Sequence, residues 1–226
     1  KMAAAELRGL KKQGVTGTLK HFAANNQEKK RHDVDSIVSE RALREIYLKG
    51  FEIAVKEAQA DSVMTTYGRL NGVWTAGRYE LNTTILRNQW GFTGIVMTDW
   101  WAKINNQSGT KGVGNDFASM VRAQNDIYMV CPQGDENRTD DNTLKELAAG
   151  TLTRGELQRS AANICRQLMS LPAFARMNGE AETVEILHKP EDKSDFDIEN
   201  IVYYTFDEKG EIPMDGIDTS KGSSFV

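Results

Sequence analysis

The chain has 226 residues, of which 39% are hydrophobic and 27% are charged, a composition typical of a folded globular domain. Its formal net charge of -4, with no block of Lys and Arg, argues against binding to a nucleic-acid backbone. No apolar run approaches the ~20 residues that a membrane-spanning helix needs, so we expect no membrane segment.

The two cysteines, Cys131 and Cys165, are predicted to be buried free thiols. Both lie in apolar sequence, and their spacing fits neither a disulfide scaffold nor a zinc site. Free thiols and the lack of a visible signal peptide favour a cytoplasmic location. Because Lys1 already lies inside a helical pattern, AAAELRGLKKQG, we expect these residues to be a piece of a larger protein.

Short apolar runs alternate along the chain with longer amphipathic patterns. The runs predict parallel strands at residues 15–21, 62–67, 94–98 and 126–130. The amphipathic patterns predict helices from an N-cap at Ser39, over 82–90 with Asn82 as cap, over 116–124 and over 153–170. Asn71-Gly72 predicts a turn after the second strand.

Two of these helices contain apolar stripes that we expect to be buried. The stripe after Ser39 comprises Leu43, Ile46, Tyr47, Phe51, Ala54, Val55 and Ala58. The stripe of the last helix comprises Leu157, Ala161, Ile164, Leu168 and Leu171, with Pro172 ending the helix.

Four strand–helix repeats predict an α/β domain with a parallel sheet covered by helices on both faces. A closed (β/α)₈ barrel typically needs about 250 residues, so a small open sheet and half of a barrel are both possible. After Met177 the sequence becomes acidic and then β-like, which predicts a linker and a short β-like extension at 179–226.

Functional side chains of parallel α/β folds gather where the strands end. The predicted strand ends present a cation, an imidazole, a phenol, a carboxylate and an indole: Lys20, His21, Tyr67, Asp99 and Trp100. This mixture suits a sugar, because the polar groups can hydrogen-bond hydroxyls and an indole face can stack on the C–H face of a pyranose. From position alone, Asp99 could equally cap the segment after its strand, and Lys20 could simply be solvated.

Three segments carry a family resemblance: KHFAANNQEKKRHDVDSIVSERALREIYLKGFEIAV, SVMTTYGRLNG and ILRNQWGFTGIVMTDWW. In this order they resemble the second half of the catalytic barrel of glycoside hydrolase family 3, whose best-known members are β-glucosidases. The resemblance covers about residues 1–177. It implies that residues 1–178 form about four βα units of a TIM-type (β/α) barrel. NICRQLMSLPAFARM and the acidic tail resemble members with an inverted domain order.

The resemblance implies a role for each residue at the strand ends. Asp99 corresponds to the nucleophile of a retaining mechanism, which forms a covalent glycosyl-enzyme that water then hydrolyses. Lys20 and His21 resemble a pair that hydrogen-bonds sugar hydroxyls, Tyr67 resembles a phenol near the nucleophile, and Trp100 resembles a stacking platform. Trp101, Glu28 and Arg31 are expected to be structural. Trp101 is expected in the core, and Glu28 and Arg31 are expected to form a buried ion pair or to orient their loop.

The resemblance also implies groups that this sequence does not present. Retaining hydrolysis needs two carboxyl groups roughly 5–5.5 Å apart, and the sequence offers one. The acid/base and further subsite residues are expected from missing domains of the same enzyme, so the chain alone is expected to be inactive. One branch of the family uses a His-Asp pair as the acid and has a Gly-rich loop after the Lys-His-Phe motif. AANNQE does not match that loop, and this mismatch favours an exo-acting β-glucosidase.

No cofactor is expected, and His32 beside Asp33 lacks a third ligand at suitable spacing for a metal site. A half-barrel exposes two sheet edges, which leaves a homo-oligomer possible. Two other hypotheses stay open. One is an aldolase-like barrel with Lys20 as the Schiff-base residue, and the other is a non-catalytic fragment that binds sugar or is structural.

Overall fold

The computed structural model of the chain describes residues 1–105, 111–131 and 136–179. The predicted linker and β-like extension therefore lie outside the described residues, apart from Gly179. In the described part of the chain, no helix combines the length and the apolar character needed to cross a bilayer.

The strands and helices alternate as the sequence predicts. The strands are β1 Thr18–Phe22, β2 Asp35–Ser36, β3 Ser62–Thr65, β4 Arg69–Leu70, β5 Val73–Trp74 and β6 Ile95–Met97. The α-helices are α1 Met2–Lys12, α2 Glu40–Ala42, α3 Lys49–Ala58, α4 Phe117–Arg122, α5 Thr143–Ala148, α6 Arg154–Met169 and α7 Pro172–Met177. Wider π-helical turns form Leu43–Tyr47 and Glu80–Gln89, and a 3₁₀ turn forms Thr75–Gly77.

The three longest strands form a parallel sheet in the order β1-β3-β6. The fourth predicted strand, 126–130, is reduced to a parallel bridge between Ile127 and Met97. It is short because the N–H of Met129 donates to the Thr98 hydroxyl at 2.9 Å instead of to a strand carbonyl. An α/β domain with an open parallel sheet is therefore confirmed, with a shorter last strand than predicted.

A second, small sheet ties together the loops that follow β1 and β3. β2 pairs in parallel with β4, and β4 pairs antiparallel with β5 through the Asn71-Gly72 turn. Both turn residues have positive φ, 50° and 85°, which confirms the predicted turn. The Asn71 side chain accepts from the N–H of Val38 and donates to its carbonyl, at 2.8 and 2.9 Å.

The helix after Ser39 begins as predicted and then departs from regular periodicity. The Ser39 hydroxyl accepts from the N–H of Ala42 at 3.2 Å, which confirms the N-cap. A π turn forms over Leu43–Tyr47. The predicted apolar stripe is nevertheless largely confirmed: Leu43, Ala54, Val55 and Ala58 are buried, and Tyr47 and Phe51 pack against the core. The predicted burial of Ile46 is wrong: it lies within the π turn and is 68% exposed.

The helix predicted over 82–90 starts earlier, at Glu80. The prediction that Asn82 caps it is wrong, because Asn82 lies inside the helix and is fully buried. Its side-chain amide donates to the carbonyl of Thr75 at 2.9 Å, so it fixes the preceding 3₁₀ turn instead.

Helix α6 starts where expected, with a capping box between Thr153 and Glu156. Its predicted apolar stripe is only partly buried, and Leu168 is 52% exposed. The buried face contains Ser160 and Asn163 instead, because both side chains bind a buried carboxylate, that of Asp126.

The core packs α3 and the helix Glu80–Gln89 against the parallel sheet. Its fully buried side chains include Phe22, Leu48, Val63, Leu86 and Val96. The prediction that both cysteines are buried is wrong, since Cys131 and Cys165 are both exposed. Cys131 lies beyond the sheet and Cys165 lies on an outer face of α6, so their apolar sequence neighbours do not cover them.

Candidate active site

The parallel strands bring the ends of β1, β3 and β6 to one edge of the sheet. Asp99, two residues after β6, is only 7% exposed there. Its Oδ2 lies 3.4 Å from Nε2 of His21, and its Oδ1 accepts from the N–H of Trp100 at 2.7 Å. The hydroxyl of Tyr67 also lies near the Asp99 carboxylate, whose charge helps to raise the pKa of Tyr67. One buried carboxylate thus lies at the centre of three predicted site residues.

The environment sets the protonation states around Asp99. Burial lowers the pKa of His21 below its usual 6.5, and Lys20 lowers it further, while the Asp99 carboxylate raises it in part. His21 is therefore neutral near pH 7. Burial raises the pKa of Tyr67, and the nearby Asp99 carboxylate raises it further, so the Tyr67 hydroxyl stays protonated near pH 7.

Lys20 and Trp100 lie at the rim of this cluster. Lys20 is exposed, and its charge acts on the adjacent His21 imidazole. Trp100 is 47% exposed beside the carboxylate that it binds through its backbone. The structure therefore brings together Asp99, His21, Tyr67 and Trp100, with Lys20 next to them.

Trp101 does not lie in the core, contrary to expectation. It is 64% exposed, and its ring centroid lies 5.6 Å from that of Trp100 at an interplanar angle of 77°. Its φ of 54° and a 2.6 Å hydrogen bond from its N–H to the Met129 carbonyl hold it on the surface.

The loop after β1 adds two groups that sequence reasoning did not place at the site. The Arg31 guanidinium lies 5.0 Å from the centroid of the Tyr67 ring, and the His32 ring lies 4.0 Å from it. Arg31 and Glu28 form the expected ion pair at 3.0 Å, but the expectation that it is buried is wrong, since the two side chains are 42% and 65% exposed. Hydrogen bonds from Asn25 and then from Arg31 lower the pKa of the Glu28 carboxyl.

The signal that could have placed Arg31 and His32 was weak. The small sheet holds their loop against the loop of Tyr67 through the pairing of β2 with β4, only two residues long. Asp33, beside His32, pairs with Lys103. Among the described residues, no group of three or more His, Cys, Asp or Glu side chains could hold a metal ion.

The sequence model described as "Glycosyl hydrolase family 3 N terminal domain" matches residues 1–167. The chain belongs to glycosyl hydrolase family 3. The β-glucosidase of Ruminococcus albus is 56% identical over 224 residues, which are 99% of this chain and 23% of that protein.

Solved structures of the family agree with this assignment. A β-glucosidase from Paenibacillus barengoltzii is 60% identical with a TM-score of 0.75, over 77% of this chain and 19% of that one. β-Glucosidase 3B from Thermotoga neapolitana in complex with glucose is 38% identical with a TM-score of 0.67, over 79% and 24%. The chain thus spans between about a fifth and a quarter of the length of these family 3 relatives.

Proposed function

We propose that residues 1–178 form the nucleophile-bearing second half of the (β/α)₈ barrel of a retaining, exo-acting β-glucosidase. The observation that carries this proposal is the buried Asp99 carboxylate, oriented at a strand end by three hydrogen-bonding or charged neighbours. The names of the family 3 relatives support the substrate class, a terminal β-linked glucoside.

In this proposal the bond from the Trp100 N–H fixes Oδ1 of Asp99 and leaves Oδ2 as the attacking atom. Oδ2 forms a bond to the anomeric carbon as the bond to the leaving oxygen breaks, and an acid outside this chain protonates that oxygen. Water then attacks the same carbon, gives up a proton to that group as base, and releases Asp99 as a carboxylate.

The neighbours of Asp99 have complementary tasks. Neutral His21 and the Lys20 ammonium hydrogen-bond hydroxyls of the sugar, and Trp100 offers an indole face to its C–H groups. The Tyr67 hydroxyl donates to the Asp99 carboxylate. This hydrogen bond holds the carboxylate in place and stabilises its charge again when Asp99 leaves the sugar. Arg31 and His32 position Tyr67 through their contacts with its ring.

An aldolase-like role for Lys20 has less support. A Schiff-base lysine is activated by desolvation or by a neighbouring cation, and Lys20 is exposed. The experiment below also separates a catalytic from a non-catalytic function.

The test replaces the matching segment of the Ruminococcus albus relative with this chain and measures hydrolysis of aryl β-glucosides. We expect the chimera to be active and a 2-deoxy-2-fluoroglucoside to label Asp99. Asp99→Asn should lower kcat/KM by at least about a thousandfold. Asp61→Asn is the matched control, because Asp61 pairs with Lys11 away from the site.

Labelling of another carboxylate, or turnover retained by Asp99→Asn, would contradict the assignment of the nucleophile. An inert chimera that is folded would favour a non-catalytic function. Hydrolysis by the 226-residue chain alone would contradict the assignment of the acid to residues outside it.

A further inference from the structure

Tyr67 lies in the loop after β3, and one buried residue, Thr75, binds the backbone on both sides of it. The Thr75 hydroxyl donates to the carbonyl of Thr66 at 2.7 Å, and both residues are buried. The N–H of Thr75 donates to the carbonyl of Gly68 at 3.3 Å. Because Thr66 and Gly68 directly precede and follow Tyr67, Thr75 holds the chain on either side of the phenol.

A second buried polar side chain holds Thr75 in turn. The Thr75 carbonyl accepts from Nδ2 of Asn82 at 2.9 Å, and Asn82 is fully buried inside its helix. Within the described part of the chain, Oδ1 of Asn82 has no hydrogen-bond partner. An unpaired buried oxygen costs stability that an apolar side chain would not cost. The contribution of Asn82 is therefore the position of Thr75 rather than a gain in stability.

The sheet alone does not set the distance between Tyr67 and the Asp99 carboxylate that it lies near. The two residues follow different strands, and the pairing of β3 with β6 ends with Met64 opposite Met97. Contacts outside the sheet therefore determine where the phenol lies relative to the carboxylate. Small errors there are costly, since a misplacement of about 1 Å can lower a rate by about a hundredfold.

We propose that Thr75, held by Asn82, is a positioning residue that places Tyr67 against the Asp99 nucleophile. This inference rests on the proposed β-glucosidase function and assigns part of its rate to a buried hydroxyl that acts through Tyr67. Without that hydroxyl the buried Thr66 carbonyl loses this donor, and the backbone beside Tyr67 shifts towards another partner.

The test measures kcat/KM for an aryl β-glucoside in the chimera described above. Thr75→Val keeps the shape of the side chain but removes the hydroxyl, and we expect it to lower kcat/KM by about tenfold. Thr75→Ser keeps the hydroxyl and should restore kcat/KM to within about threefold of the unsubstituted chimera.

Thr83→Val is the matched control. Thr83 is also buried, and its hydroxyl donates to the carbonyl of Ala123, at the end of α4, at 2.9 Å. Thr75→Val and Thr83→Val each leave a buried carbonyl without a donor, so both should lower the Tm of the 226-residue chain. Only Thr75→Val should change activity, and Thr83→Val should stay within about twofold in kcat/KM.

A double-mutant cycle separates positioning from a general structural role. Because Thr75 acts through the Tyr67 hydroxyl, Thr75→Val should lower kcat/KM by no more than about twofold in a Tyr67→Phe chimera. Asn82→Leu, which removes the donor to Thr75, should lower kcat/KM in the same direction and lose its effect in Tyr67→Phe. It provides the same test should Thr75→Val fail to fold.

Three results would overturn this inference alone in an active chimera. They are equal losses of kcat/KM in Thr75→Val and Thr83→Val, a Thr75→Ser variant as impaired as Thr75→Val, and losses that multiply when Thr75→Val or Asn82→Leu is combined with Tyr67→Phe. A folded, unsubstituted chimera that does not hydrolyse the glucoside would overturn the proposed function, and this inference with it.

Discussion

The buried carboxylate of Asp126 connects the sheet to two helices, and its loss should destabilise the fold strongly. Its Oδ2 accepts from Arg87 Nη2 at 2.6 Å and from the N–H of Val96 at 3.0 Å. Its Oδ1 accepts from Ser160 Oγ at 3.3 Å and from Asn163 Nδ2 at 3.0 Å. The side chains of Arg87 and Asp126 are 7% and 0% exposed, so neither charge is compensated by water.

Asp126→Asn keeps the size of the side chain but leaves the Arg87 guanidinium buried without its counterion. The substitution also replaces one carboxylate oxygen, a hydrogen-bond acceptor, with an amide NH₂ donor. The four groups that bind the carboxylate are themselves donors, so the new amide has no acceptor among them. Removing one partner of a buried ion pair costs about 3–5 kcal/mol, and domains are stable by ~5–15 kcal/mol. With an m-value of ~2 kcal/mol/M, the urea midpoint of the chain should fall by about 1.5–2.5 M.

Urea unfolding followed by circular dichroism measures this change, with Asp61→Asn as the matched control. The Asp61–Lys11 pair is about one-third exposed at each side chain and should contribute no more than ~1 kcal/mol. Arg87→Met combined with Asp126→Asn should cost less than the sum of the single variants, because the two charges are coupled. A midpoint for Asp126→Asn within about 0.5 M of the unsubstituted chain would refute the reasoning.

Three further predictions follow from other contacts. By NMR titration, the pKa of His21 should lie below 6.5. It should fall further in Asp99→Asn, which removes a negative charge, and rise in Lys20→Gln, which removes a positive one. Shifts of the same sign in both variants would contradict the site geometry. Because this pKa is lowered on folding, His21 costs stability as pH falls below 6.5, and His21→Gln should remove that part of the acid sensitivity in urea titrations. Gly94→Ala should destabilise strongly because its Cβ would overlap the Asp61 backbone, whereas Gly50→Ala in α3, with no atom within 4 Å, should stabilise by ~0.5–1 kcal/mol in the same assay.

The parts of the fold that depend on local patterns were predictable from sequence. Apolar runs located β1, β3 and β6 to within three residues at each end, and Ser39 marked a helix start. Since parallel strands end at one edge, the same runs predicted that His21, Tyr67 and Asp99 would meet. The Asp99 contacts in the structure agree with that reasoning.

The parts that depend on tertiary contacts were not predictable. Ile46 lies in the π turn before α3, where the backbone departs from the 3.6-residue periodicity on which its predicted burial was based. No residue pattern marks such a turn. Ser160 and Asn163 are polar, and only the position of Asp126 explains why they face inward. The contacts of Arg31 and His32 with Tyr67 depend on pairing between strands of two residues, too short for a periodic signal.

The short pairing of β2 with β4 also makes the site sensitive to strand register. The sheet places Asp35 opposite Arg69 and Ser36 opposite Leu70. A slip of one residue would move the loop of Arg31 relative to Tyr67 by ~3.3 Å, more than the tolerance of a ring contact or a hydrogen bond. The Asn71 side chain, which binds both backbone groups of Val38, favours the observed register. Asn71 thus contributes to the position of the Tyr67 ring through the register of β2 and β4, without a ring contact of its own.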